Sequence, residues 1–463
     1  MNGLRGTTLK TLPVTWSRSE YIANAAVLGL CVFSVANPLV KQAVLFFFPS
    51  PIAGLNMMQW FQGLCFLLVL LTLPMVPRGC NELSRPFSRL LWAYVISLSV
   101  IHLRLLSTGR IPTDMLFTER MVHFKIVFAL LFWYYASRLV QSYEFARVLL
   151  HSILLGALIS AGWIIVCYFS GIGGAHYAFA GITATAGSEG ASGKGVAGFL
   201  LPAAAGAMFL ALRDGSYRWA LSAALIVAAV FVTFDRSAQV AFVVALAWMA
   251  VWWLALARPR PASQIVFLFL AIVLVSGGIY YAHHGTEELL VRWTRDFDRG
   301  EIGSGRGAFY TGAWNWFWYD SSVADFLLGM GYVNIGDVMH TASGAFRHTH
   351  SDLFDMLMIG GIVGLALYFL LFHTIASLGK GLPIGSAEFA TLAAMLLSFG
   401  VMSLLTGLIA FPHAMYAFGV QCICIRVLAV QEESDLRSQY AHTGARTMIA
   451  VTKNPGESGD LMF

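Results

Sequence analysis

The feature that most constrains this chain is a series of about twelve apolar runs, each long enough to cross a membrane as a helix. Only 11% of the 463 residues are charged, whereas a soluble domain carries about 25% charged residues. This composition excludes an ordinary soluble enzyme, a disordered chain and a disulfide-built secreted domain. We predict an all-α polytopic membrane protein with about 12 transmembrane helices. The runs lie near 21–40, 57–76, 87–105, 121–139, 146–170, 195–212, 219–234, 237–257, 264–282, 351–373, 386–408 and 411–430.

The polar ends of the chain and its loops predict how it is threaded through the membrane. Lys and Arg are more frequent in the short loops on the side of the N-terminus, so we expect both termini to lie in the cytoplasm. The start of the chain is polar and does not resemble a cleavable signal. The predicted parts are a cytoplasmic segment 1–20, helices 1–9 within 21–282, a long outer loop 283–350, helices 10–12 within 351–430 and a cytoplasmic tail 431–463.

The cysteines and the net charge exclude further classes of partner. A net charge of +5 is modest for this length and predicts no binding of nucleic acid. The six cysteines lie mostly in apolar stretches without the spacing of metal ligands, so we expect them to be small packing residues. They are Cys31, Cys65, Cys80, Cys167, Cys422 and Cys424.

The long outer loop contains a cluster of aromatic side chains. Amphipathic rings of this kind prefer the boundary between membrane and water. We therefore predict a partly helical segment that lies at the membrane interface. Its aromatic residues are Trp314, Trp316, Phe317, Trp318 and Tyr319.

Two arginines on the outer side are candidates for binding an anion. Arg236 follows Asp235 in a very tight turn between the seventh and eighth runs, and Arg306 ends the sequence Gly303–Arg306. A guanidinium matches phosphate oxygens with two parallel hydrogen bonds and stays charged at any relevant pH. The alternatives are an Asp235–Arg236 pair that reaches the headgroups, and for Arg306 a solvated loop residue.

The most informative group directly precedes the tenth run, over Arg347–Asp352. Ser351 fits the N-cap of a helix, and the acids Asp352 and Asp355 would then lie in its first turn. That interpretation leaves Arg347, His348 and His350 unexplained. Histidine is suited to proton transfer near neutral pH.

Two further patterns near this group are a set of histidines and a set of glycines. His348 and His350, with His340, lack the carboxylate or cysteine pattern of a metal site, so we expect no metal. The glycines of Gly360–Gly364 lie inside the tenth run, and we interpret them as small residues that allow close packing between helices.

Together these residues indicate a substrate with a lipid tail and a diphosphate. The chain has no Walker A sequence and no dinucleotide fingerprint, so we expect no nucleotide and no cofactor. Arginines would stabilise the diphosphate as a leaving group, because negative charge develops there in the transition state. A histidine would remove a proton from the acceptor hydroxyl or position it.

Three motifs resemble those of the O-antigen ligase and O-antigen polymerase superfamily. The first is Asp235–Ala238, at the start of a run. The second is Ser304–Arg306, followed by Phe326–Tyr332. The third is His348–Leu353, followed by Gly360–Leu365. The chain departs from the family pattern at Ala324–Phe326, where a proline is usual, and at Ser351, where asparagine is common.

The resemblance implies a glycosyltransferase of the bacterial inner membrane, with about twelve spans and a periplasmic active face. Members take a glycan from undecaprenyl diphosphate and need no metal. Ligases pass it to lipid A–core, polymerases pass it to another lipid-linked repeat, and relatives pass it to a protein hydroxyl. The expected partners are therefore a glycan linked to undecaprenyl diphosphate, lipid A–core or another hydroxyl acceptor, and membrane lipids.

Carried over residue by residue, the resemblance assigns candidate roles. His350 would be the essential histidine, with His348 as its neighbour. Arg236 and Arg306 would contact the diphosphate or the sugar, together with Arg347. Lys194 stands where the family has an Asn-Pro-Asn type of segment, and it would supply a further cation.

Two questions stay open at the level of sequence. No residue separates a ligase from a polymerase, although the three motifs together favour the ligase. A transporter or lipid flippase is the alternative of another class, since it would also be polytopic with charges in the membrane. Such proteins usually place charges near the bilayer midplane and show repeat symmetry. Here the candidate residues share one face, which favours an enzyme.

Overall fold

The computed structural model describes residues 24–30, 32, 50, 57–76, 83–112, 115–170, 193–233, 236–255, 306–343, 349, 351–408 and 414–430. Within these ranges no strand occurs and every regular element is helical. The principal helices after the short stretch 24–30 are α1 (Met57–Thr72), α2 (Ser84–Ser107), α3 (Leu116–Leu139), α4 (Tyr143–Ser170), α5 (Gly193–Asp214), α6 (Tyr217–Val232), α7 (Arg236–Ala255), α8 (Arg306–Asn315), α9 (Val323–Leu328), α10 (Ile335–Ser343), α11 (Asp352–Ala376), α12 (Ala387–Thr406) and α13 (Ala414–Val430).

The helices coincide with the apolar runs of the sequence. Five are long and apolar enough to cross a membrane: Ser84–Ser107, Tyr143–Val166, Val196–Asp214, Asp352–Gly379 and Ala387–Thr406. Shorter apolar helices cover four more runs, at Gln59–Met75, Tyr217–Phe231, Ser237–Trp253 and Ala414–Val430. The chain is therefore a multi-pass membrane protein that is all-helical over the described residues. The predicted ninth run, 264–282, lies outside the described residues.

Aromatic side chains fill the centre of the bundle between α3 and α13. Trp133 is fully buried and donates a hydrogen bond from Nε1 to the carbonyl of Met415 over 2.9 Å. Gly419 lies against the indole, and a Cβ at that position would overlap the ring. A buried Trp needs both a partner for its N–H and room for its rings, and these two neighbours provide them.

The thiols that the structure describes behave as the sequence predicts. Cys65, Cys422 and Cys424 are buried and form no disulfide, as expected of small packing residues. Cys31 and Cys80 lie outside the described residues, as does the side chain of Cys167.

Two ends of the bundle can be distinguished from the directions of its helices. Near the end of α7, Trp248 and Trp252 donate hydrogen bonds to the carbonyls of Ala390 and Ile384, each over 3.0 Å. These acceptors lie at the start of α12, so α7 and α12 are antiparallel. The N-terminus of α7 is therefore beside the C-terminus of α12. We call this end of the bundle, where α12 ends at Thr406, the upper end.

Helix α5 also begins at the upper end. A Cβ at Gly198, in its second turn, would stand 2.8 Å from a methyl group of Leu408, just beyond α12. At the other end of α5, Arg213 donates a hydrogen bond to the carbonyl of Leu428 over 3.5 Å. Helices α5 and α13 thus run parallel, and both start at the upper end.

Basic residues at the opposite end belong to the set predicted to face the cytoplasm. Arg147 pairs with Asp214 over 3.4 Å, and the Arg213 guanidinium lies 5.3 Å from the centre of the Tyr143 ring. That this end faces the cytoplasm stays a prediction.

Candidate functional site

Helix α11 is broken at Gly361, one third of the way along its length. Gly361 has φ 59° and ψ −144°, so the helical hydrogen bonds are interrupted there. Two carbonyls of the preceding turn accept hydrogen bonds from another segment instead. Met330 N–H donates to Met358 over 2.8 Å, and Gly331 N–H donates to Ile359 over 3.3 Å. A break inside an apolar helix is tolerated where protein groups satisfy the exposed backbone in this way.

Glycine is required on both sides of this contact. Gly329 has φ 73°, and a Cβ there would overlap the backbone of Ile359 and Gly360. A Cβ at Gly361 would overlap the backbone of Phe326 in return. The motifs 326–332 and 360–364 are therefore docked on each other. The interpretation of Gly360–Gly364 as close-packing residues is confirmed in part. A Cβ at Gly360 would stand 3.2 Å from Ile101 of α2, whereas Gly361 meets the end of α9 and the turn that follows it.

A buried carboxylate on α3 holds the same turn from the other side. Glu119 is fully buried and accepts hydrogen bonds from the N–H groups of Tyr332 (3.0 Å) and Val333 (2.9 Å). His123 Nε2 lies 3.3 Å from Glu119 Oε1, and the His123 ring packs edge-on against His102. Glu119 was not among the residues predicted from the sequence. The available signal was an acid in the first turn of a long apolar helix.

A second carboxylate, Asp325, fixes the start of the turn. It accepts hydrogen bonds from Arg104 Nη2 (2.5 Å), from Arg110 and from Ser322 Oγ (2.7 Å). Arg104 also donates from Nη1 to the carbonyl of Gly329 over 2.6 Å. Burial of Asp325 raises its pKa, but the hydrogen bonds from Arg110, Ser322 and Arg104 outweigh burial and lower the pKa to about 2. Arg104, in the last turn of α2, thus anchors this turn.

Asp325→Asn should lower the stability of the turn at neutral pH by roughly 2 kcal/mol, because the charged acceptor of two guanidinium groups is lost. Because the folded pKa is below the ordinary 3.8, this stabilisation is fully present above pH 3.8 and is lost as the pH falls toward 2. Thermal unfolding followed by tryptophan fluorescence from pH 7 to pH 3 measures both effects. Asp337→Asn, at an exposed position on α10, is the control. Equal midpoints for wild type and Asp325→Asn at pH 7 would contradict the assignment.

The N-terminus of α11 is fastened by Thr349 rather than by Ser351. Ser351 occupies the N-cap position, as predicted, but its side chain makes no cap hydrogen bond. Thr349 is fully buried and donates from its backbone N–H (3.1 Å) and from Oγ1 (2.6 Å) to Asp355 Oδ1. Asp355 thus reaches back from the first turn to hold the residue that separates His348 from His350.

Asp352 joins the start of α11 to the end of α12. Its buried carboxylate accepts hydrogen bonds from Ser403 Oγ over 2.7 Å and from the backbone N–H of Leu408 over 2.6 Å. Ser403 also lies 3.1 Å from the hydroxyl of Tyr368. The predicted role of Asp352 in the helix dipole therefore omits its main contacts, which hold two apolar helices together.

The aromatic cluster is helical, as predicted, and divides into a buried and an exposed part. It begins in α8 and continues as a π-helix over Trp316–Asp320. Trp316 and Phe317 are buried in a small core with Met330 and Met358. Trp314, Trp318 and Tyr319 are exposed by 50%, 51% and 80%. The exposed rings are those available to a membrane surface.

Helix α8 begins at the upper end. Tyr310, in its second turn, stacks on Phe354 in the first turn of α11 with ring centres 5.0 Å apart. The Tyr310 hydroxyl donates to the carbonyl of Leu404 near the end of α12 over 3.4 Å. One helical turn spans about 5.4 Å, so the start of α8 lies within about one turn of the place where the start of α11 meets the end of α12.

The structure brings the helix positions of three predicted site residues together. Lys194 is the second residue of α5, Arg236 is the first residue of α7, and Arg306 is the first residue of α8. All three helices begin at the upper end, beside the start of α11. The side chains of these residues lie outside the description, as do Arg347, His348 and His350 entirely. The chain neighbours of His350, which are Thr349 and Ser351, are described and buried.

The upper end is favourable for an anion. Helices α5, α7, α8 and α11 all present their N-termini there. Each N-terminus carries about half a positive charge and several N–H groups without a helical partner, which together attract phosphate. Two acids that the structure describes at this end are engaged by hydrogen bonds, Asp352 with Ser403 and Leu408, and Asp355 with Thr349.

Comparison with known proteins adds one result to this geometry. Residues 221–369 match the sequence profile of the family described as O-antigen ligase. The match includes Arg236, Arg306 and the segment 347–352, together with both of the glycine motifs that dock on each other. None of the curated proteins compared with the chain matches it. The chain therefore carries, over residues 221–369, a domain of the O-antigen ligase superfamily.

Proposed function

We propose that the protein is an O-antigen ligase-like glycosyltransferase that moves a glycan from undecaprenyl diphosphate to a hydroxyl of lipid A–core. The reaction would take place on the periplasmic face of a bacterial inner membrane, with both termini in the cytoplasm. The observation that carries the proposal is the convergence of the starts of α5, α7, α8 and α11 at the upper end. It supports a single anion site built from residues that are far apart in the sequence.

The proposed roles follow from the chemistry of the transfer. The acceptor oxygen attacks the anomeric carbon of the glycan, and the bond from that carbon to the diphosphate oxygen breaks. His350 takes the acceptor proton, with His348 as its neighbour. Undecaprenyl diphosphate leaves with the bonding electron pair, and its added charge is stabilised by cations. The proposed cations are Arg236, Arg306, Arg347 and Lys194.

The bonds of Thr349 support a positioning role for the segment that carries the histidines. A general base must lie within hydrogen-bond reach of the proton that it removes. Thr349 is buried and tied to Asp355, while the covalently attached His350 is the next residue.

The described acids favour an enzyme over the transporter or flippase. A transporter usually places its charges and broken helices near the bilayer midplane. Glu119 and Asp352 lie in the first turns of α3 and α11, and both accept hydrogen bonds from backbone N–H groups. Their charges are thereby committed to holding the fold at one end of the bundle. A polymerase of O-antigen or exopolysaccharide would use the same donor and the same residues, and differs only in its acceptor.

His350→Ala should abolish transfer while the protein stays folded and inserted, because the proposed base is removed and the bonds of Thr349 to Asp355 at the start of α11 are kept. The gene is deleted in its host and complemented with wild type, His350→Ala or His373→Ala. His373 lies exposed in the last turn of α11, at the end away from Ser351, so its loss should leave transfer unchanged. Surface polysaccharide and the lipid-linked pool are compared on gels, with membrane levels of each variant.

The glycans found in the lipid-linked pool and on the acceptor distinguish a ligase from a polymerase and from a transporter. Long glycan stranded on undecaprenyl diphosphate indicates a ligase, whereas acceptor capped with a single repeat indicates a polymerase. Normal transfer by His350→Ala would refute the catalytic role of that residue. Unchanged polysaccharide in both pools after deletion would refute both enzyme functions in that host and favour the transporter.

A further inference from the structure

Two buried hydroxyl groups at the upper end have no hydrogen-bond partner. Ser351 and Thr406 are only 1% and 2% exposed, and neither Ser351 Oγ nor Thr406 Oγ1 finds an acceptor in the described part of the chain. Most buried hydroxyls in native proteins are hydrogen-bonded, and an exception calls for a strained, functional or solvent-filled site. The occurrence of two at one junction is therefore informative.

Both hydroxyls belong to the junction of α11 and α12. Ser351 immediately precedes α11, and Thr406 is the last residue of α12. Thr406 follows Ser403 by three positions, so both lie on the helix face that meets Asp352. The Asp352 carboxylate already accepts from Ser403 and from Leu408. The two hydroxyls thus flank a carboxylate that is bonded to other donors.

The surroundings of the junction select the chemical class of the missing partner. The N-termini of α5, α7, α8 and α11 meet at this end, and Lys194, Arg236 and Arg306 stand at three of them. A hydroxyl at the N-cap of a helix that makes no cap bond is free to donate to an anion bound there. The partner that matches dipoles, cations and hydroxyl donors together is a phosphate group.

We propose that the hydroxyls of Ser351 and Thr406 donate hydrogen bonds to the phosphate oxygens of the donor diphosphate and hold it as the leaving group. This inference rests on the proposed function and extends its diphosphate site to two residues on α11 and α12. The hydroxyls form no covalent bond. Their hydrogen bonds hold the diphosphate in the ground state and become stronger as negative charge develops on the departing oxygen.

The proposal predicts that removing either hydroxyl weakens the binding of the diphosphate but does not lower the stability of the protein. In the empty protein an unpartnered buried hydroxyl is unfavourable, so its replacement by an apolar group of similar shape is neutral or stabilising. Ser351→Ala and Thr406→Val should therefore leave the thermal midpoint unchanged or higher. Each should weaken the binding of undecaprenyl diphosphate about tenfold, because one hydrogen bond to a charged group is lost.

The experiment measures the binding of undecaprenyl diphosphate and undecaprenyl monophosphate to the purified full-length protein in lipid nanodiscs. The variants are Ser351→Ala, Thr406→Val, the double variant and Thr406→Ser. The last keeps the hydroxyl and should bind like wild type. Ser398→Ala and Thr391→Val are matched controls on α12, because those buried hydroxyls donate to helix carbonyls of Met395 and Ala387. Both controls should bind the diphosphate normally.

Each outcome decides between the proposals. Wild-type affinity in the double variant would mean that water satisfies the hydroxyls, and the inference would be overturned while the proposed function stands. A loss confined to the glycan or the acceptor would assign the hydroxyls to sugar and also overturn it. Unfolding of either single variant would show a purely structural role. Absence of both diphosphate binding and transfer in the wild type would overturn the proposed function itself.

Discussion

Gly361→Ala should abolish transfer and lower the free energy of unfolding by about 3 kcal/mol or more, because backbone strain and a steric clash add together. Gly361 has a positive φ of 59°, which costs a residue with a Cβ about 1–2 kcal/mol. The added methyl group would also overlap the backbone of Phe326 and Leu327, which cannot move aside as a flexible side chain could. The turn 329–331 would detach from α11, and the carbonyls of Met358 and Ile359 would lose their hydrogen-bond donors.

Gly162→Ala is the matched control for this substitution. Gly162 lies inside α4, and a Cβ there meets nothing within 4 Å. Alanine is favoured over glycine inside a helix, so this variant should keep its activity and gain up to about 1 kcal/mol. Thermal unfolding in detergent and transfer to the acceptor are measured for both variants. A wild-type midpoint for Gly361→Ala would show that the turn 329–331 is not docked in solution.

Gly329→Ala tests the same contact from the other side. Its Cβ would overlap the backbone of Ile359 and Gly360, so it should reproduce the defect of Gly361→Ala. Because both substitutions break one contact, their effects should not add in the double variant. Additive losses would mean that the two glycines act at separate places.

The positions of the helices could be predicted from the sequence because apolar length is a local property. The run 57–76 and the run 121–139 coincide with helices whose ends differ by a few residues. The meaning of Gly360–Gly364 could not be predicted in the same way. Small residues four apart have one appearance whether they meet a neighbouring helix or a turn. Only the tertiary contacts show that both occur here, with Ile101 of α2 at Gly360 and with Gly329 of the turn at Gly361.

The same division holds for the candidate site. Counting spans placed Arg236 and Arg306 on one face, and the starts of α7 and α8 do meet at the upper end. Glu119 was missed because its partners, the N–H groups of Tyr332 and Val333, are 213 and 214 positions away in the sequence. Every residue except proline has a backbone N–H. The residue types at 332 and 333 therefore give no sign that they donate to a carboxylate.

Glu119→Ala should detach the turn as completely as the loss of Gly361 does, with a loss of stability of about 3–5 kcal/mol. The substitution leaves the N–H groups of Tyr332 and Val333 buried without an acceptor, each at a cost of about 1–3 kcal/mol. Glu119→Gln keeps one carbonyl oxygen and should fall between wild type and alanine. Glu144→Ala, at an exposed position on α4, should change the midpoint by less than about 0.5 kcal/mol.

The value of this prediction is that Glu119 lies outside the segment 221–369 that matches the family. If the turn depends on it, the domain is completed by a helix from the first half of the chain, and transfer should fall together with stability in Glu119→Ala. Combining Glu119→Ala with Gly361→Ala should add little to either defect, because both release one turn. Full transfer in Glu119→Ala would mean that α11 and the bonds of Arg104 and Arg110 to Asp325 hold the docked turn without a contribution from α3.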